Sequence, residues 1–193
     1  MGKGMDDGRI ALVTGGAQGL GFAAAKRLLE LGFGGVMLLD RNGAKLKEAA
    51  AKLPGLGRVA LIEGDLMDTG LPARAVAATV SAFGRLDVLV NAAGNTERCG
   101  LDDTTAESFE RLFAVNTRAP LFMMQEAVKA MRVQGGGVII NISSMLAHGG
   151  PPNLTTYSAS KAALNPMTRS VANAVQREGI RAFAINLGWV HSE

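Results

Sequence analysis

Short apolar segments alternate with longer, partly polar segments along almost the whole chain. Six of the apolar runs have the length and the β-branched residues of buried strands. They occupy residues 10–13, 36–39, 58–63, 86–90, 138–142 and 181–187. The segments between them predict helices over residues 23–31, 43–53, 71–83, 105–133 and 157–177. Because each strand is followed by a helix, the pattern predicts an α/β fold with a parallel sheet, right-handed crossovers and helices on both faces.

Two of the predicted helices contain a proline in their interior. Pro120 ends the segment Asn116-Thr117-Arg118-Ala119-Pro120 within the helix predicted over 105–133, and Pro166 lies within the helix predicted over 157–177. Proline lacks a backbone donor and disfavours helical backbone in the residue before it. We therefore expect a kink near residues 116–120 that leaves backbone groups free for a water molecule. Pro166 would cost about 3 kcal/mol in a straight helix, so a bend is expected there.

The first predicted strand runs directly into a glycine-rich turn. Gly15, Gly19 and Gly21 give the spacing G-x-x-x-G-x-G, which is neither the G-x-G-x-x-G fingerprint nor a P-loop. Glycines let the backbone approach a ligand, and the start of the following helix offers free N–H groups and the positive end of its dipole. The turn predicts a site for an anion, and the alternative is a glycine-rich turn without a ligand.

The second predicted strand ends at Asp40, about 20 residues past the glycines, where a dinucleotide-binding fold uses a carboxylate to hold the adenosine ribose 2′-hydroxyl. A carboxylate at this point would repel the 2′-phosphate of NADP, so Asp40 favours NAD. The neighbouring Arg41 partly offsets that repulsion, and NADP is therefore not excluded. The alternative is an aspartate that only caps a helix or a turn.

Tyr157 and Lys161 are the candidate proton-transfer residues. If the segment Tyr-Ser-Ala-Ser-Lys opens a helix, a spacing of four places the phenol and the ammonium on one face, one turn apart. A positive charge nearby lowers the tyrosine pKa from its ordinary value of about 10, as general acid/base chemistry at neutral pH requires. Ser144 follows the strand predicted over 138–142, so its hydroxyl is expected at the mouth of the sheet. The alternative is a solvated helix face.

Composition limits the classes of protein that remain. The 193 residues are 48% hydrophobic, which is sufficient for one domain with a substantial core. The net charge of +3 is small and dispersed, which argues against a nucleic-acid or anionic-membrane partner. A lone Cys99 excludes an intrachain disulfide and a multi-cysteine metal site, and the two histidines lack ligand spacing. No signal peptide is evident in residues 1–9 and no apolar run would span a membrane, so we expect a cytoplasmic protein.

Taken in chain order, these motifs resemble those of the short-chain dehydrogenase/reductase family. They are the glycine turn, Asp40, Asn91-Ala92-Ala93-Gly94, Asn116, Ser144 and Tyr157-x-x-x-Lys161. The resemblance extends from about Arg9 to the last residue. It implies a Rossmann-like, doubly wound parallel sheet in a three-layer α/β/α domain that covers residues 1–193 and binds NAD(P). It also implies an oxidoreductase that transfers a hydride between NAD(P) and a secondary alcohol or ketone, without a metal.

The resemblance implies a role for each motif residue. Tyr157 would exchange a proton with the substrate oxygen, Ser144 would donate a hydrogen bond to the same oxygen, and Lys161 would bind the nicotinamide ribose and lower the Tyr157 pKa. Asn116 would hold a relay water. The other residues implied to contact the cofactor are Thr14, Gly15, Gln18, Gly19, Leu20, Gly21, Asp40, Arg41, Asp65, Leu66, Asn91, Ala92, Ala93, Gly94, Gly188 and Val190. Gln18 stands where NADP-dependent relatives often carry a basic residue, which again favours NAD.

The chain departs from the family pattern near its end. The family often has Asn-Pro-Gly where this chain has Asn186-Leu187-Gly188, and Ser192 stands where relatives have a threonine that contacts the carboxamide. Family members also continue through a mobile substrate lid, another helix and a final strand. We therefore expect a six-stranded sheet that lacks the last strand and the lid, with an exposed edge. A fragment and a natural short form both remain open.

Alternative functions remain as well. Ser158-x-x-Lys161 matches the nucleophile signature of penicillin-binding enzymes, but the Ser-Asp-Asn and Lys-Thr-Gly partners of that signature do not occur. A second alternative is a chain that binds the cofactor but acts as a catalytically impaired binding or scaffold module. Sugars or polyols, steroids and oxoacyl thioesters are all possible substrates. The predicted cavity walls are formed by Leu146, His148, Asn153 and Leu154, and by Glu97 and Cys99. The resemblance further implies a homodimer or homotetramer, paired through the helices around residues 106–133 and 157–177.

Overall fold

A computed structural model describes residues 8–55 and 57–190. Within these residues six strands form a single sheet in the order β3-β2-β1-β4-β5-β6. The strands are β1 Ile10–Thr14, β2 Gly35–Asp40, β3 Val59–Glu63, β4 Val88–Asn91, β5 Gly137–Ser144 and β6 Ile180–Leu187. Every pairing is parallel. The predicted α/β class, the parallel sheet and the positions of all six strands are therefore confirmed, with ends that differ by one or two residues.

Six α-helices connect these strands. They are α1 Gly19–Glu30, α2 Gly43–Ala51, α3 Leu71–Phe83, α4 Ala106–Phe113, α5 Ala119–Gln134 and α6 Thr155–Val175. A π-helical turn at Ala114–Arg118 joins α4 to α5. This turn is the interruption predicted at residues 116–120, and Pro120 lies at the start of α5, where its missing N–H is tolerated. Helix α6 continues through Pro166.

Both faces of the sheet are covered by helices. Successive residues of a strand point to opposite faces, so Leu12 and Leu89 belong to a core with α3 and α5, whereas Val13 and Val90 belong to a core with α1 and α2. Burial on both faces explains why the central strands read as continuous apolar runs rather than as alternating ones. The result is the predicted three-layer α/β/α arrangement. The edge strand β6 leaves Phe183 and Ile185 about half exposed.

The order of the strands determines where a ligand can bind. From β1 the chain proceeds outward to β2 and β3, and it then returns to β4 on the other side of β1. The connections after β1 and β4 therefore leave in opposite directions and open a crevice at the carboxyl ends of these two strands. The glycine turn follows β1, and the segment 92–95 follows β4. Both motifs thus lie at the crevice.

Candidate active site

The glycine turn is closely packed between β1 and β4. Thr14 Oγ1 accepts a hydrogen bond of 3.1 Å from the Ala93 N–H, which ties the ends of the two strands together. Gly15 has φ of +68°, and a Cβ atom there would lie 2.8 Å from the Ala93 Cα atom. A Cβ atom on Gly21 would lie 2.2 Å from the Gly15 carbonyl oxygen. Glycine is therefore required at both positions for α1 to begin against the turn.

The start of α1 faces a cavity. Gln18 is the N-cap residue, but its side chain does not cap the helix and instead accepts a hydrogen bond of 3.1 Å from the Lys45 ammonium. Gly19, Leu20 and Gly21, the first residues of α1, line the cavity beside it. The first N–H groups of α1 are therefore placed where an anion would meet them. Lys45 is a neighbour that the sequence did not reveal.

Asp40 lies at the end of β2 and is fixed by backbone donors. Its carboxylate accepts hydrogen bonds from the Ala17 N–H at 3.3 Å and from the Asn42 N–H at 3.2 Å. The first of these bonds connects β2 to the glycine turn. The carboxylate is therefore oriented by the backbone on both sides while Asp40 lines the same cavity as the turn.

This cofactor cavity, as we name it, has a volume of about 360 Å³. Its lining includes thirteen of the residues expected at the cofactor: Gly15, Gln18, Gly19, Leu20, Gly21, Asp40, Arg41, Asp65, Leu66, Ala92, Ala93, Gly94 and Val190. Thr14 and Asn91 lie beneath it and are buried. Met67, Asn95, Arg111 and Val115 also line it and were not anticipated. The sequence motifs thus assemble around one cavity.

A second cavity, which we name the reaction cavity, also has a volume of about 360 Å³. It is lined by Ser144, Tyr157 and Lys161, and by Gly188 from the segment after β6. Four residues line both cavities, and these are Leu20, Ala92, Gly94 and Val190. The two cavities are therefore adjacent parts of one cleft. Ser192, expected beside Gly188 and Val190, lies outside the described residues.

Lys161 is buried at the floor of the reaction cavity. It lies one turn after Tyr157 on α6, which begins at Thr155, so the predicted one-face arrangement is formed. The Lys161 ammonium donates a hydrogen bond of 2.8 Å to the Ile142 carbonyl. Burial lowers the pKa of Lys161 from 10.5 to about 8. Tyr157 itself is half-buried, and Ser144 is buried with its Oγ accepting a hydrogen bond of 3.1 Å from the Leu146 N–H.

The burial of Lys161 predicts a stability that depends on pH. The pKa of about 8 in the folded chain lies below the ordinary value of 10.5, so the unfolded state binds more protons between these two pH values. The free energy of unfolding should therefore rise with pH across this window, by up to about 3 kcal/mol. This gain in stability is lost again when the pH falls through 8. Denaturant unfolding of the chain and of Lys161→Met, both carrying Tyr157→Phe to remove the phenol titration, would measure the difference. Equal pH slopes for the two variants would contradict the prediction.

Asn116 lies in the π-helical turn and is fully buried. Its side-chain oxygen accepts a hydrogen bond of 2.8 Å from the Asn95 N–H, and its side-chain amide donates to the Asn95 carbonyl at 2.9 Å and to Ser160 Oγ at 3.0 Å. A Cβ atom on Gly94 would lie 3.5 Å from both the Asn116 oxygen and the Lys161 ammonium. Asn116 therefore holds the segment after β4 against α6, next to Lys161, although it lines neither cavity.

A buried polar network supports the cleft from below. Asn91 on β4 donates a hydrogen bond of 2.8 Å to the side chain of Asn141 on β5, which in turn donates one of 2.8 Å to Thr168 on α6. The network joins the two strands that bear the site to the helix that bears Tyr157. Buried amides of this kind stabilise a single arrangement because an unmade bond is costly. Asn91 was expected at the cofactor, whereas Asn141 and Thr168 were not anticipated.

The walls of the reaction cavity differ in part from those expected. Leu146 and Leu154 line it, but His148, Asn153, Glu97 and Cys99 do not. Cys99 is buried and forms an isolated parallel bridge with Leu154, and His148 contacts the Asn186 side chain at 3.3 Å. The residues of the lining that sequence reasoning missed include Thr96, Arg98, Met145 and Trp189.

Ser158 does not lie at either cavity. It is buried, and its hydroxyl packs so closely against Gly150 that a Cβ atom there would lie 1.9 Å from the Ser158 Oγ. The Lys161 ammonium points instead to the Ile142 carbonyl. Ser158, the nucleophile that the acyl-enzyme alternative requires, is therefore not accessible from either cavity.

Comparison with known proteins identifies the family. The sequence model of the short chain dehydrogenase family matches residues 9–193. An uncharacterized oxidoreductase from Thermotoga maritima is 38% identical over 187 residues, which cover 96% of this chain and 73% of that protein. A sorbitol dehydrogenase from Cereibacter sphaeroides is 36% identical over 189 residues, which cover 97% and 72%. The solved structure of an NAD⁺-bound xylitol dehydrogenase superposes with a TM-score of 0.88 at 29% identity and covers 95% of this chain and 71% of that one.

The chain therefore belongs to the short-chain dehydrogenase family. This membership confirms the resemblance drawn from the motifs, and it makes the chain an oxidoreductase of a family that uses NAD(P) and small-molecule substrates. Over residues 8–55 and 57–190, no helix combines the length and the apolar character needed to cross a membrane.

Proposed function

We propose that this chain transfers a hydride between NAD(P) and a secondary alcohol or ketone, with Tyr157 as the general acid/base. The observation that carries the proposal is the shared lining of the two cavities. Tyr157, Ser144 and Lys161 border the reaction cavity, which continues through Gly94 and Leu20 into the cavity of the glycine turn. A dinucleotide with one end in the cofactor cavity would therefore have its other end beside the proton-transfer residues.

The lining of the cofactor cavity fits a dinucleotide. The absence of side chains at Gly15 and Gly21 lets the turn and the start of α1 pack closely together beside the cavity, and the first N–H groups of α1 suit a pyrophosphate. Asp40 and Arg41 would meet the adenosine ribose, and Asp65 and Leu66 would flank the adenine. Gly94, Gly188 and Val190 would border the nicotinamide, and Lys161 its ribose. When bound, the nicotinamide supplies the hydride acceptor or donor.

The remaining chemistry is a proton transfer by residues of this chain. The phenolate form of Tyr157 would accept the proton of the substrate alcohol, and the phenol form would donate a proton to the oxygen of a ketone. The Ser144 hydroxyl would donate a hydrogen bond to the same oxygen and hold it in place. The positive charge of Lys161, one turn along α6, would favour negative charge on the phenol oxygen. Water held near Asn116 as a relay stays a prediction.

A panel of secondary alcohols and ketones, followed by nicotinamide absorbance, tests this proposal. Oxidation of an alcohol with NAD, and reduction of the matching ketone with NADH, is the expected result. The alternative is a chain that binds the cofactor as a scaffold module without turnover. It predicts saturable NAD binding by calorimetry with no absorbance change for any member of the panel. That outcome would refute the proposed function.

The carboxylate of Asp40 predicts that NAD binds more tightly than NADP. Coulomb repulsion of the 2′-phosphate in a partly solvated cavity corresponds to a preference of about 10-fold or more. Asp40→Asn keeps the shape of the side chain and removes the charge, so the preference should shrink towards unity. Isothermal titration with both dinucleotides would measure the ratio.

The matched control for Asp40 is Asp65→Asn. Asp65 lines the same cavity, but its carboxylate accepts a bond of 2.8 Å from the Met67 N–H and is expected at the adenine rather than at the ribose. This variant should leave the ratio of the two affinities unchanged. Equal affinities of the original chain for NAD and NADP, or a preference for NADP, would refute the role of Asp40.

The expectations of a single domain over residues 1–193, of a homodimer or homotetramer and of a cytoplasmic location stay predictions.

A further inference from the structure

Arg98 brings a positive charge to the reaction cavity. It lines this cavity together with Tyr157 and Ser144, four residues after the end of the Asn-Ala-Ala-Gly segment. Among the described residues that line the cavity, none is acidic, and the other cation is Lys161. Lys161 is buried and already donates to the Ile142 carbonyl, whereas Arg98 is exposed. The guanidinium of Arg98 is therefore the cationic group most accessible to a substrate.

The acidic neighbour of Arg98 is already paired. Glu97 accepts two hydrogen bonds from the guanidinium of Arg111, at 2.9 Å and 2.8 Å. This fork is the strong bidentate form of an arginine–carboxylate pair, and it lowers the pKa of Glu97. Within residues 8–55 and 57–190, Arg98 itself forms no ion pair and no hydrogen bond through its side chain. Its five N–H donors therefore remain available to a ligand.

The backbone on both sides of Arg98 is fixed. The N–H and the carbonyl of Asn95 are both hydrogen-bonded to the Asn116 side chain, at 2.8 Å and 2.9 Å. On the other side, Cys99 is buried and forms a bridge with Leu154, which lies just before α6. Arg98 is thus placed relative to Tyr157 by the same residues that fix the cleft. A charge held on rigid backbone can select a ligand, because little order must be gained on binding.

The rest of the cavity wall is mostly apolar, with Met145, Leu146, Leu154, Leu187 and Trp189 in its lining. We propose that the substrate of this chain carries an anionic group, and that Arg98 recognises it while an apolar stretch joins it to the reacting carbon. The substrate class is therefore a hydroxy acid or an oxo acid rather than a neutral alcohol. This inference rests on the proposed function for the identity of the reacting group, and it adds the charge of the substrate.

A binding experiment separates this inference from the proposed function. Trp189 is the single tryptophan of the chain, lines the reaction cavity and is 84% exposed, so its fluorescence should shift when a ligand covers it. The probes are acetoacetate and levulinate, each compared with its neutral amide, in the presence of saturating NAD. A ketone cannot be reduced by the oxidised cofactor, so the titration measures binding alone. The two probes differ by one carbon between the carboxylate and the ketone, so that they sample two distances between Arg98 and the reacting carbon.

We expect at least one of the two carboxylates to bind roughly 10- to 100-fold more tightly than its amide, which is the range for a hydrogen bond to a charged group. Arg98→Leu should abolish this preference, Arg98→Lys should keep part of it, and Arg98→Glu should reverse it. Arg177→Leu is the matched control. Arg177 is also exposed, but it lies just before β6, at the amino-terminal ends of the strands, whereas the reaction cavity lies at their carboxyl ends. This control should keep the full preference.

Three results would overturn the inference. They are an equal affinity of carboxylate and amide in the original chain, a preference that survives in Arg98→Leu, and no binding of either carboxylate. The same pairs are then assayed for reduction with NADH. If Arg98-dependent binding is found without turnover of any ketone, the anion site stands and the hydride-transfer function fails. If neutral ketones are turned over as well as charged ones, the function stands and the anion site fails.

Discussion

Replacement of Tyr157 by phenylalanine should remove most of the dehydrogenase activity and leave cofactor binding intact. The variant loses only the hydroxyl that would transfer the proton, and a positioned general acid/base contributes about 10² to 10⁴-fold to the rate. Its ring still fills the same place at the reaction cavity, next to the buried Lys161. We therefore expect kcat/KM to fall by about this factor with the first substrate found in the panel, whereas the Kd for NAD should change less than about two-fold.

Two controls make this result specific. Thr155→Ala removes a hydroxyl in the first turn of the same helix, but Thr155 is exposed and its hydroxyl donates to the Pro152 carbonyl, away from both cavities, so activity should be retained. Tyr157 is also the single tyrosine of the chain, so the ultraviolet signal of a phenolate reports this residue alone. If the phenylalanine variant turned over substrate at a rate close to that of the original chain, another group would have to transfer the proton.

The second large effect is expected at Gly21. A Cβ atom at this position would lie 2.2 Å from the Gly15 carbonyl oxygen, and neither atom can rotate away, because the oxygen belongs to the backbone and the backbone sets the position of the Cβ atom. In Gly21→Ala the glycine turn and the start of α1 must move apart, which should destabilise the fold by about 1–3 kcal/mol. The same movement displaces the N–H groups at the helix start, so the affinity for NAD should fall by at least about 10-fold.

Gly70→Ala is the comparison for Gly21→Ala. Gly70 also stands at a helix start, before α3, but an added Cβ would meet chiefly the end of the Arg74 side chain, which can rotate away. Calorimetry and thermal unfolding should therefore show little change in either NAD affinity or stability. An unchanged affinity for NAD in Gly21→Ala would mean that the dinucleotide does not use this turn.

The fold could be predicted because its main determinants are local. A strand buried on both faces must be apolar along its whole length, as in β1 and β2, and this makes it visible as a run in the sequence. Helix ends were less certain, since α6 begins at Thr155, two residues before the predicted start. The interruption near Pro120 was predicted from proline chemistry, but its form as a π-helical turn depends on packing against α6.

The site was only partly predictable from sequence. Glycines and the Tyr-x-x-x-Lys pair are recognisable because their chemistry depends on local spacing. In contrast, Arg111 meets Glu97 across 14 residues, and Asn141 meets Thr168 across 27, through contacts that only the fold creates. One signal was available for Asn141, because an amide inside the run Val-Ile-Ile-Asn-Ile must find a buried partner.

The predicted cavity walls show the same limit. Cys99 and Arg98 are adjacent but lie in different environments, because Cys99 is buried whereas Arg98 is exposed and borders the reaction cavity. No periodic pattern in the connection after β4 indicates which of the two faces the ligand. The bridge between Cys99 and Leu154 fixes the course of the backbone here, and it forms only in the folded chain.

The most direct test of the central claim is a crystal structure of the chain with NAD bound. We predict the adenosine ribose at the Asp40 carboxylate, the pyrophosphate at the start of α1, and the nicotinamide in the reaction cavity within reach of the Tyr157 hydroxyl. A dinucleotide that lay outside the two adjacent cavities, or whose nicotinamide faced away from Tyr157 and Ser144, would contradict the account.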